Sequence, residues 1–320
     1  MGTNHMSRDR MPSFDGFPDS HTTSEIDERY AWVGKQRQKY HQAQLLGNIL
    51  RFAMRPKVTF ADEDAVRISI ESDRVLAMVG THKHLLDPFA TVAAVHQQPS
   101  LRNLQETRRS ARRAETPREP HHTRPMTKID LSRESDPVGR FARPLLAIVA
   151  ATPVPREKDS NTEKGRYARK KAMEVTKNGL IRGINSLSFP GGTRTKEKFD
   201  IEATKSGMAY IALRAAGAIV KLSSERSNPE EHDQEISQEH NEEYVPTGVT
   251  MLPFAVSYRK GLNFWRRPRL HFGNPIDVEP YLESVGSSLD GEEFNTAVTD
   301  LHQDAMAEIA QADEVLSEAA

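Results

Sequence analysis

Short apolar stretches of strand character alternate with stretches of helical periodicity along most of this chain. That alternation restricts the fold to an α/β domain, a sheet flanked by helices. Val66 to Ile70 reads as a short strand, and Val75 to Val79 as a second that breaks at Gly80 and Thr81. Asp87-Pro88 then opens a helix, because aspartate is a good N-cap and proline suits the first helical position. Pro144 to Val154 forms a buried helix or strand, and Lys164 to Lys177 a basic helix closed by Asn178-Gly179. Ile184 to Phe189 is a strand running into Pro190-Gly191-Gly192, and Lys205 to Val220 a buried helix. Val249 to Val256 and Leu270 to Phe272 are strands, the latter ending at Gly273-Asn274-Pro275. Asp290 and Glu293 stand in capping-box spacing before a helix with Phe294, Val298, Leu301, Ala305 and Ile309 on one side.

Residues 1–23 read as a tag scar, Met1 to Met6 with a second start at Met6, and a disordered polar leader. Residues 24–60 form an N-terminal helical segment from Ser24 to a stop at Pro56, striped with Ile26, Tyr30, Val33, Tyr40, Leu45, Leu46, Ile49, Leu50 and Ala53. The stripe either covers the core or, with its many lysines and arginines, lies on a lipid surface. Residues 61–320 make the α/β domain, with an arginine-rich insert near 97–136 and an acidic one near 222–246.

Composition narrows the chemistry. With no cysteine among 320 residues, a disulfide framework, cysteine-based zinc, iron–sulfur clusters and a thiol nucleophile are excluded. A net charge of −1 gives no whole-chain attraction for nucleic acid, and the arginine run lacks interleaved aromatics or a reader motif. The longest apolar run, Leu145 to Pro155, is half of the roughly 20 residues that a spanning helix needs. The expected location is cytoplasmic, at most peripheral to a membrane.

His82 and Asp87 stand five residues apart in THKHLLDP, with four residues between them, and the spacing alone has little weight. Placed between a strand end and a helix start, however, the two side chains can meet, one in the turn and one at the cap. A carboxylate on one imidazole nitrogen fixes the tautomer and leaves the other nitrogen to take a proton. The second motif, Phe189 to Thr195 (FPGGTRT), puts backbone N–H groups, Thr193, Thr195 and Arg194 after a strand, as a phosphate or oxyanion cradle requires.

In this order the two motifs resemble the glycerolipid acyltransferase family, which contains the glycerol-3-phosphate and 1-acylglycerol-3-phosphate (lysophosphatidate) acyltransferases. His82 and Asp87 fall on its first motif, Arg156 in TPVPRE on the arginine of its second, and Phe189, Pro190, Gly192, Thr193 and Arg194 on its third. Leu252, Pro253 and Val256 fall near its fourth, and the likeness runs from about Val66 to Ile276. Position 84 holds histidine where the family has serine, and Gly191 stands in place of a glutamate tied to acceptor handling.

The resemblance implies a mixed central sheet flanked by helices, a glycerol-3-phosphate acyltransferase-like fold. It implies His82 as general base held by Asp87, and Arg156, Gly191, Gly192, Thr193 and Arg194 around an acceptor phosphate. It implies no metal or other cofactor; acyl-CoA or acyl carrier protein is the co-substrate, and the acceptor is a glycerol-phosphate or lysophospholipid-like molecule. The alternative is a non-catalytic member of the same fold that binds lipid or acyl carrier.

Overall fold

The structure is a computed structural model that describes residues 12–35, 48–50, 52–84, 87–97, 123–133, 135, 137–155, 159–191, 199–227, 245–258, 267–285 and 289–319. Its elements are helix α1 (Thr23–Lys35), strand β1 (Lys57–Phe60), α2 (Glu63–Glu71), β2 (Val75–Gly80), α3 (Asp87–Gln97), β3 (Thr123–Lys128), α4 (Pro137–Ile148) and β4 (Thr152–Val154). There follow α5 (Glu163–Ile181), β5 (Asn185–Ser188), α6 (Gly207–Ser227), β6 (Val249–Tyr258), β7 (Pro268–Phe272), β8 (Ile276–Asp277) and α7 (Glu292–Glu318).

Among the described residues eight strands form one mixed sheet in the order β1-β7-β6-β2-β5-β3-β4, with β8 also on β6. From β6 to β4 neighbouring strands run parallel, while β7 and β8 run antiparallel to β6. The protein is therefore α/β with a mixed sheet between helices.

β2 is buried along its whole length, as a parallel strand covered on both faces must be. Its alternate residues serve two cores. Val75, Ala77 and Val79 pack with α6, α7 and Leu180 of α5, and Leu76 and Met78 pack with Val66 and Ile70 of α2 and Val92 and Val95 of α3. Phe294, Val298, Leu301, Ala305 and Ile309 of α7 line the first core, as their spacing predicts. α1 faces inward: Ile26, Tyr30 and Val33 are buried, and the Tyr30 hydroxyl donates to the Pro153 carbonyl at 2.7 Å. Ile49 and Phe52 are exposed, and Tyr40, Leu45 and Leu46 lie outside the described residues. Among the described residues no helix is long and apolar enough to cross a membrane.

Several sequence expectations are corrected. Val66 to Ile70 is helical, not a strand: Asp62 caps α2 by accepting from the Ala65 N–H at 2.8 Å, and Val66 and Ile70, one turn apart, are both buried while Ile68 is exposed. The arginine-rich insert ends earlier than 136, because Thr123–Lys128 is β3, between β5 and β4. Arg124, which falls within that expected insert, is buried there, and burial with Arg182 nearby pushes its guanidinium down to about 10.

Asn178-Gly179 lies inside α5, which closes at Arg182 with Gly183 in the left-handed conformation. Asp290 makes no capping box. Gly291 precedes α7 without a side-chain cap, and Asp290 pairs with Arg214. The stretch 12–22, expected to be disordered, buries Phe14 and Phe17 beside Tyr30. Of the acidic insert, 222–227 is helical and 228–244 lies outside the described residues.

Candidate active site

β5, β2 and β6 are adjacent and parallel, so Ser188, Gly80 and Tyr258 all end toward one edge of the sheet. Carboxyl-terminal strand edges are where open α/β sheets carry their sites. β6 overhangs: its pairing with β2 stops at Gly80↔Phe254, yet the strand continues to Tyr258. Four more extended residues reach about 13 Å further, and the turn after β2 lies along them. The Thr81 N–H donates to the Phe254 carbonyl at 3.3 Å, and the Thr81 hydroxyl accepts from the Val256 N–H at 2.9 Å. Thr81 thus fixes the direction in which His82 leaves the sheet.

His82 and Asp87 meet. Nδ1 of His82 is 3.0 Å from Oδ2 of Asp87, and that oxygen also accepts from the backbone N–H groups of Lys83 at 2.6 Å and His84 at 2.7 Å. Asp87 is therefore not the N-cap it was expected to be. It is the first residue of α3, and its carboxylate reaches back into the turn and closes the loop around His82. The other oxygen, Oδ1, accepts from the Tyr258 hydroxyl. Asp87 is 0% exposed, and its buried charge is met by four donors, as a buried carboxylate requires.

With Nδ1–H committed to the carboxylate, neutral His82 presents Nε2 as an acceptor. The imidazole face is covered by Phe189, the residue after β5, at 4.7 Å between ring centroids and 27° between planes. Phe189 meets Phe254 of β6 edge-on at 6.0 Å. The His84 ring tilts against Tyr258 at 5.3 Å. Burial, then the Asp87 charge and its hydrogen bond, push the Tyr258 phenol above its ordinary range, so it remains a donor.

The glycine-rich motif enters this site from β5. Phe189, Pro190 and Gly191 are described; the Pro190 carbonyl accepts from the Lys205 N–H at 3.1 Å, and a Cβ at Gly191 would meet nothing within 4 Å. Gly192, Thr193, Arg194 and Arg156 lie outside the described residues. β4, which leads to Arg156, points to the same edge, three strands and roughly 14 Å from β2. Among the described residues no three His, Asp or Glu side chains are grouped to hold a metal ion.

Three participants escaped the sequence reading: Tyr258, Lys83 and Asp313. Tyr258 had a signal, since it continues the Phe254, Val256 alternation by one more step onto the same face. Lys83 Nζ reaches Asp313 of α7, a contact across 230 residues that no local pattern announces. Together these residues supply an acceptor nitrogen on an oriented imidazole, beside a glycine-containing turn at a sheet edge. Compared with protein-family models and with curated proteins, the chain has no match.

Proposed function

We propose that the chain is an O-acyltransferase with a glycerol-3-phosphate acyltransferase-like fold. It moves a fatty acyl group from an acyl thioester, on CoA or an acyl carrier protein, to a hydroxyl of a glycerol-phosphate or lysophospholipid-like acceptor. The observation that carries this reading is the His82–Asp87 contact, with Nε2 left to accept a proton, next to the chain segment that continues into FPGGTRT.

In the proposed reaction Nε2 takes the acceptor's hydroxyl proton as the oxygen attacks the thioester carbonyl, so no free alkoxide forms. The tetrahedral intermediate collapses, the carbon–sulfur bond breaks, and the imidazolium returns its proton to the departing thiolate. The products are an ester and a thiol. Asp87 stabilises the imidazolium in between. Arg194 and Arg156, with Thr193 and the backbone N–H groups near Gly191 and Gly192, hold the acceptor phosphate, a role assigned by family resemblance. An acceptor carrying a long acyl chain resides in a bilayer, so this reading places the protein at least transiently against a membrane.

The test is thiol release from long-chain acyl-CoA or acyl carrier protein in the presence of mixed acceptors, with products identified by mass spectrometry. Release that depends on acceptor and on His82 supports the proposal. Gly191, at the family's glutamate position, favours the competing reading, a lipid- or acyl-carrier-binding protein without turnover. Ligand binding unaccompanied by thiol release selects that alternative.

A further inference from the structure

We infer that Tyr258 is a positioning residue of this site, acting through Asp87 to set how strongly the carboxylate holds the His82 imidazolium. The inference rests on reading His82 and Asp87 as a working pair, and it adds a third member from a different strand.

The geometry supports a division of labour between the two oxygens of Asp87. Oδ2 serves the turn and the imidazole, accepting from Lys83 N–H, His84 N–H and His82 Nδ1–H. Oδ1 has the Tyr258 hydroxyl. Each donor draws electron density from the carboxylate and lowers its attraction for a further proton or for a cation. Tyr258 is the donor that leaves the turn's own geometry untouched, because it arrives from the β6 overhang. The His84 ring braces it from the turn side. Its raised proton affinity keeps the phenol protonated, so it remains a donor to Asp87 throughout the proposed reaction.

Among the described residues, the groups facing this pair come from several neighbouring elements. Lys83 and His84 are on the turn, Tyr258 is on β6, and Asp313 is on α7, already engaged by Lys83 Nζ at 3.2 Å. Phe189 and Phe254 bring only uncharged rings. A change at the Tyr258 hydroxyl therefore reaches His82 through Asp87. Removing the hydroxyl concentrates negative charge on the oxygen facing His82. The imidazolium is then held more tightly, and a higher pH is needed to free the base.

The experiment follows the imidazole resonances of the full-length protein by NMR as pH is varied, with His82→Gln used to assign the His82 signal. Tyr258→Phe is expected to raise the titration midpoint of His82 by about half a pH unit or more, and Asp87→Asn to lower it. Replacing Tyr258 by 3,5-difluorotyrosine keeps the shape and strengthens the donor, so it should move the midpoint down; this variant stands in if Tyr258→Phe does not fold. In acyl transfer, the acidic limb of kcat/KM should follow the same direction in each variant. If Asp87→Asn moves His82 but neither change at Tyr258 does, the inference is overturned while the His82–Asp87 pair survives. Absence of any response, including to Asp87→Asn, overturns both. If wild type shows the coupling but no acyl transfer, the proposed function fails and the role of Tyr258 stands.

Discussion

Lys83 Nζ lies 3.2 Å from Asp313 Oδ2, so the turn that carries His82 is anchored to a helix near the other end of the chain. The same oxygen accepts from the Phe199 N–H at 3.2 Å, beyond the glycine-rich motif in sequence. Lys83 is doubly used: its backbone N–H closes on Asp87 and its ammonium on α7. Lys83→Met removes the cation from a carboxylate that is almost wholly buried. A loss of about 3 kcal/mol in urea unfolding is expected, because an uncompensated buried charge is what such a change leaves. Adding Asp313→Leu should restore much of that loss. A single variant as stable as wild type would show the pair to be solvated.

His82→Ala is expected to lower turnover by about 10²–10⁴-fold, the usual cost of losing a general base. The fold should survive with a loss of about 1–3 kcal/mol, from the stack on Phe189 and from the donor that buried Asp87 loses. Retention of more than a tenth of the wild-type rate removes His82 from the chemistry.

Asp87→Asn tests charge at nearly constant shape. The amide oxygen can take over the three bonds of Oδ2, and its NH2 can donate to Tyr258, whose hydroxyl turns from donor to acceptor. Unfolding should shift by only about 1 kcal/mol, while turnover falls by 10²-fold or more in line with loss of base function. Normal turnover combined with a lower melting temperature would leave Asp87 a purely structural role.

The partial legibility of this fold has identifiable causes. β2 was readable because a fully buried parallel strand is apolar on both faces, and α7 because five apolar residues repeat at helical spacing. α2 misled because VRISI alternates for five residues; only the Asp62 cap and the acidic first turn mark it as a helix. β3 was hidden by Arg124 and Pro125, two residues poor in strand signal whose neighbours across the sheet, Ser186 and Leu187, decide the matter. The His82–Asp87 contact was legible because both ends are local. Tyr258 and Asp313 reach the site only through the sheet order and the packing of α7, and sequence spacing encodes neither.

Gly191→Glu should be tolerated, since its Cβ meets nothing within 4 Å and the glycine is not in the left-handed region. Melting should be unchanged within about 0.5 kcal/mol, as for a surface substitution. Acceptor preference should move toward glycerol 3-phosphate or lysophosphatidate, measured by competition between acceptors. If wild type already uses both well and the substitution changes nothing, position 191 has no part in specificity.

Arg194→Ala should raise the acceptor KM or remove activity while acyl-CoA binding persists, and Arg194→Lys should rescue in part, because ammonium lacks the planar two-pronged donor set. Unchanged acceptor kinetics in both variants would detach FPGGTRT from the acceptor.

Burial is the first cause holding the imidazoles of His21, His271 and His302 below the ordinary 6.5. The unfolded chain takes up these protons before the folded protein does, so stability is complete above pH 6.5 and falls as pH drops through the folded-state values. Urea midpoints from pH 7.5 to 5 should decline. His21→Phe, beside Phe14 and Phe17, should flatten part of that decline.

Gly80 lies where a methyl group would come within 2.4 Å of the Phe254 ring. Phe254 abuts Phe189, and Phe189 lies flat on His82. A single missing carbon at the end of β2 thereby leaves room for the file of rings that ends on the imidazole. Gly80→Ala would press Phe254 toward Phe189 and so disturb the face of His82, an effect at the site from a residue with no side chain at all.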